Sequence, residues 1–87
     1  MDIEELARAL KVEKLAMIGE KIEVHNLDTE TAEEILEFLK SIAGKKSTGY
    51  VAFKDSSIVF KMDENRCLIA VTARDKTFGV LKRMREI

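Results

Sequence analysis

Apolar residues recur along this chain with two different periods, and the changes of period mark out its elements. Between Asp2 and Leu10, residues Ile3, Leu6, Ala7 and Leu10 fall at i, i+3, i+4 and i+7, the spacing of one helical face, with glutamates in the first turn where the helix dipole favours negative charge. After a connector over Lys11 to Lys14, the run Leu15, Ala16, Met17 and Ile18 and the alternating segment KIEVHNL flank Gly19 and Glu20. Ile22 and Val24 share one side of the pleat, so two antiparallel strands with a tight turn are predicted. Asp28, Thr29 and Thr31 then offer N-caps, Thr31 and Glu34 have capping-box spacing, and helical periodicity runs from Ala32 to Ala43. Gly44 is expected to close that helix in the left-handed conformation. YVAFK, SIVFKM and RCLIAVTA follow as β-rich runs separated by Asp55-Ser56 and Asp63-Glu64-Asn65, which predicts a three-stranded meander. The tail DKTFGVLKRMREI opens with Asp75, repeats Thr77, Val80, Leu81, Met84 and Ile87 at helical spacing, and carries basic residues toward its C-terminal end.

The elements predict an α+β fold with a single five-stranded antiparallel sheet in the order α-β-β-α-β-β-β-α. A length of 87 residues with 46% hydrophobic residues suits one domain over residues 1–87, and a core this small gains from self-association. Fifteen Lys and Arg against sixteen Asp and Glu leave a net charge of −1, which supplies no overall basic field for nucleic acid or anionic lipid. MDIEELARAL lacks the basic flank and apolar run of a signal peptide, and no segment approaches the roughly 18 apolar residues of a membrane span. A cytoplasmic protein with neither nucleic-acid nor membrane partners is expected. Charged residues make up 36% of the chain and Gln is absent, a balance resembling that of thermophile proteins, although the absence of Pro argues the other way.

AGKKSTGY, Ala43 to Tyr50, has the residue types of a phosphate loop but not its order. Such a loop leaves a strand and enters a helix N-terminus, whereas this segment leaves a helix and enters a strand, and Leu39 and Lys40 stand where the upstream glycine belongs. Lys45 and Lys46 instead meet the negative end of the helix dipole. His25 lies on the polar side of its strand with no Cys or paired carboxylate at metal-ligand spacing. Cys67, the single cysteine, sits beside Leu68, Ile69, Ala70 and Val71 and reads as a buried, inert thiol. No nucleophile and base are brought together by sequence. Glu30, Glu33, Glu34 and Glu37 read as a solvated face, and Lys82, Arg83 and Arg85 as a solubilising one. Hence no catalytic, cofactor-binding or metal-binding residue is assigned, and a non-enzymatic protein is expected.

The unusual feature is the breadth of the apolar arc on the central helix. Ala32, Ile35, Leu36, Phe38, Leu39, Ile42 and Ala43 cover roughly 160°, wider than the stripe of about 100° that packing on one sheet needs. The edge carrying Ile35, Phe38 and Ile42 therefore needs a second partner, and strand YVAFK, with Lys54 as its only charge, is poorly guarded against edge pairing.

The whole chain resembles the Roadblock family, also called the dynein light chain Roadblock type, most specifically in CLIAVTARDKTFGVLKRM from Cys67 to Met84. Its short first hairpin, IGEK, departs from the family's longer glycine-containing turn. The resemblance implies a Roadblock-like, profilin-like sandwich with the middle helix on one sheet face and both terminal helices on the other. It also implies a homodimer formed through that helix and the next strand, with Ile35, Phe38, Leu39, Ile42, Tyr50, Val51, Ala52 and Phe53 at the interface. In function it implies a non-enzymatic scaffold or regulator that binds a small Ras-like GTPase or assembles a complex. The alternative is a profilin-like or sensor-like module binding a small ligand or peptide on its sheet.

Overall fold

The computed structural model describes residues 2–87. Its helix α1 (Ile3–Leu10) starts where Asp2 accepts the Glu5 amide at 2.9 Å. It ends at Lys11, whose φ of 59° lets its own N–H and that of Val12 reach back to the last turn. Strands β1 (Lys14–Ile18) and β2 (Ile22–His25) form the predicted hairpin. Helix α2 (Thr29–Ile42) begins at Asp28, whose carboxylate accepts the Thr31 amide at 2.7 Å. That bond holds the Asp28 carboxyl below its ordinary range. Asp28, and not the Thr31–Glu34 capping box, is thus the N-cap, and the helix gains a turn over the expected start at Ala32.

The C-terminus of α2 also differs from expectation. Ala43 is extended and its N–H returns to Leu39, while no glycine among the described residues has positive φ. The left-handed positions are Lys11 and Asn26, so Gly44 does not close the helix as a left-handed cap. Strands β3 (Ser47–Ala52), β4 (Ser56–Met62) and β5 (Cys67–Ala73) form the antiparallel meander. β3 starts three residues before Tyr50 and leaves Phe53 in the following turn. A 3-10 turn at Arg74–Lys76 precedes helix α3 (Thr77–Arg85), which therefore begins two residues beyond Asp75 and has no side-chain cap at Lys76.

The fold is α+β, with one five-stranded antiparallel sheet in the order β2-β1-β5-β4-β3. β1 pairs with β5, which places the last strand at the centre and closes the N-terminal hairpin onto the meander. Alternation along β5 divides the core. Leu68 and Ala70 join Leu6, Leu10, Val80 and Met84 under α1 and α3, whereas Cys67 and Ile69 join Ala32 and Leu39 under α2. The middle helix thus lies on one face and the terminal helices on the other.

The two faces are covered unequally, for a geometric reason. Five strands about 4.8 Å apart span roughly 20 Å, whereas a helix with its side chains is about 10 Å across. On one face α1 lies over β1 and β2 and α3 over β4 and β3, so two helices match the sheet's width. Arg83 joins them, its Nε donating to the Leu10 carbonyl at 2.8 Å. On the other face α2 packs closest to β2 and β5, and a single helix leaves the β3 side without a helical cover.

Candidate functional site

The uncovered region lies where α2 faces the β3 edge. Taking Leu39, fully buried, as the line of α2 that meets the sheet, residues Ile35, Phe38 and Ile42 turn to one flank at about 100° per residue. Ile35 is half-buried against the α2-side core, but Phe38 is 41% exposed and Ile42 56%. In β3, Val51 pairs with Ile58 and packs against that same core, and Gly49 pairs with Phe60, whose ring lies 3.4 Å from where a Cβ would stand. Phe53, just beyond the strand, is 45% exposed.

Of the eight residues predicted for an interface, seven are at least partly accessible; Leu39 is not. It belongs to the core of its own chain, and as the centre of the arc it is the residue α2 most needs for its own sheet. The structure also divides the accessible seven between the two sheet faces. Tyr50 pairs with Val59 of the other core and points with Ala52 to the α3 side, where its ring meets Phe78 edge-on with centroids 5.1 Å apart. Phe78, the most exposed large apolar residue among those described, at 67%, was missed from sequence because it lies outside the apolar repeat of α3. Apolar surface thus borders β3 on both faces.

The outer edge of β3 has no partner strand. Its six residues, STGYVA, include no charge and no proline to oppose pairing. β2, at the other edge, has only four residues, and Glu23 lies within it.

The remaining candidates resolve simply. The glycine-lysine segment runs from the end of α2 into β3, the reverse of a phosphate loop's polarity. His25 is half-buried at the β2 edge, and no group of three or more His, Cys, Asp or Glu among the described residues could hold a metal ion. Cys67 is buried on the central strand, and burial pushes its thiol up to about 11, against the opposing influence of Lys40. Such a thiol is neutral and a poor nucleophile at neutral pH. Arg83, grouped in sequence with a solubilising face, instead ties α3 to α1. No helix among the described residues is long and apolar enough to cross a membrane.

These features define a small α+β domain with a three-layer helix-sheet-helix arrangement and an open sheet whose β3 edge carries no charge. An uncharacterized protein of Archaeoglobus fulgidus is 30% identical over 88 residues, an alignment covering 100% of this chain and 96% of the relative. The chain belongs to the family of that protein. No family model and no solved structure matches it.

Proposed function

We propose that this chain is a non-enzymatic, homodimeric scaffold or regulator that serves a small Ras-like GTPase in the cytoplasm. The observations carrying the homodimer are the uncharged, unpaired edge of β3 and the exposure of Phe38, Ile42 and Phe53 on the face that α2 alone covers. A second copy fits both features at once. Two β3 strands related by a two-fold axis pair antiparallel, which continues the sheet and brings the exposed flanks of both α2 helices together. Phe38 and Ile42 are already about half buried, so covering what remains exposed contributes about 1 kcal/mol per side chain, from both copies, in a domain of small net stability.

The GTPase part of the proposal rests on the resemblance to the Roadblock family, supported by the shared placement of the middle helix opposite the terminal helices. In this reading the nucleotide belongs to the partner. Sedimentation equilibrium at tens of micromolar tests the dimer, and capture from native lysate with detection of Ras-like GTPases tests the partner. A dimer that retains such a GTPase through washing is expected. A monomer would remove the physical basis of the scaffold, and a dimer retaining no GTPase would confine the proposal to self-association.

A further inference from the structure

The second flank of α2 bounds a different surface. Leu36, Lys40 and Ala43 lie on the side of Leu39 away from Phe38 and wall a groove of about 880 Å3, within the range of about 300–1,000 Å3 usual for small-molecule sites. Its end is built by two turns that close on each other at Gly19, where an added Cβ would sit 3.4 Å from the Asn65 carbonyl oxygen. The apolar lining comes from Ile18, Leu36, Met62 and Cys67, and the charged groups are Lys40, Lys45 and Arg66 against Asp63 and Glu64. Three cations and two carboxylates leave one net positive charge.

One of those carboxylates is already engaged. Asp63 accepts the amides of Asn65 and Arg66, each at 2.9 Å, and these bonds hold its carboxyl below the ordinary range. Lys40 lines the same groove as Cys67. The groove therefore joins an apolar lining to a rim with cationic excess.

We propose that this groove binds a small monoanion with an apolar tail, a medium-chain carboxylate, with its head among Lys40, Lys45 and Arg66 and its tail over Ile18, Leu36 and Ala43, above the buried Met62 and Cys67. A single net positive charge suits a monoanion better than a phosphate dianion, and the apolar lining separates such a ligand from a bare inorganic ion. The site lies on the flank of α2 opposite the proposed dimer surface and does not depend on dimerisation.

Amide NMR of the isotope-labelled full chain, titrated with sodium decanoate below its micelle-forming concentration, tests this. Saturable shifts are expected at Ile18 and Gly19, at Leu36, Lys40 and Ala43 to Lys45, and from Met62 to Cys67. Decanol and inorganic phosphate at equal concentration should leave those signals in place. Lys40 and Arg66 are exposed, so Lys40→Glu and Arg66→Glu leave the fold intact, and each should weaken decanoate binding about tenfold. The absence of saturable shifts, equal binding of decanol, shifts centred on Phe38, Ile42 and Phe53, or unchanged affinity in both variants would each overturn the proposal. Sedimentation of the same samples reports the dimer separately, so the two proposals fail independently.

Discussion

The two faces of the sheet solve the same packing problem with different numbers of helices. Under α1 and α3 the core is covered across the sheet's width and secured by polar ties. Arg83 reaches the Leu10 carbonyl, and Thr77 Oγ1 lies 2.6 Å from both the Arg74 carbonyl and Ser57 Oγ. Thr77 has one hydroxyl proton; donating it to the carbonyl leaves its oxygen to accept from Ser57, so both buried hydroxyls are satisfied. No buried side-chain polar atom among the described residues lacks a partner. Beneath α2 the core is apolar apart from its margins, and it ends at Phe38, Ile42 and Phe53 in solvent. One core is roofed by two helices, with Tyr50 and Phe78 left exposed beside β3, and the other stops where a single helix stops.

Neighbouring positions on α2 give the largest test of this contrast. Leu39→Ala should lower unfolding free energy by about 2–5 kcal/mol at every protein concentration, because it opens a cavity in the chain's own core. Phe38→Glu should instead act on association. Chemical denaturation monitored at several concentrations should show Phe38→Glu removing the concentration dependence of the parent, with sedimentation showing a folded monomer. If Phe38→Glu remains dimeric with unchanged stability, the interface does not use this flank.

On the closed face, Thr77→Val should cost about 1–3 kcal/mol, since Ser57, fully buried, loses its partner. Denaturant midpoints of Ser57→Ala and the double variant sharpen the result. The double variant should recover part of the loss, because removing both hydroxyls leaves no orphaned side-chain group. Additive losses would show that the pair is not coupled.

The smallest effect is the response to alkaline pH on the open face. Cys67 has an ordinary value of 9.0 and is raised to about 11 by burial. Its neutral thiol therefore favours the fold below pH 9. This contribution is lost as pH rises through 9 toward 11, where the unfolded chain ionises first. Stability of Cys67→Ala relative to the parent should thus improve across that window, read from unfolding curves at successive pH values. A constant difference would show that Cys67 is not desolvated.

Local pattern was enough for the element order. The 3.6-residue repeats of α1 and α2, the apolar strands and their turn residues depend on neighbours in sequence, so they were legible there, as was the reversed polarity of the glycine-lysine segment. The width of the α2 arc also signalled that one sheet could not bury it all. Of the three N-caps the sequence offered, the structure uses Asp28; one local detail escaped, since Gly44 proved unnecessary as a left-handed cap because Ala43 leaves α2 in an extended conformation.

What only the tertiary structure decided follows from contacts between distant segments. The pairing of β1 with β5 placed Cys67 at the centre and left β3 at an edge, and no local repeat encodes which strands become neighbours. The same pairing fixed which part of the wide arc met the sheet, taking Leu39 into the core and leaving Phe38 outside. It also set Tyr50 against Phe78, brought Arg83 to Leu10 across 73 residues, and closed two turns around a groove. Periodicity specifies that a side chain belongs to a face; the order of strands and the width of a helix determine whether that face is covered.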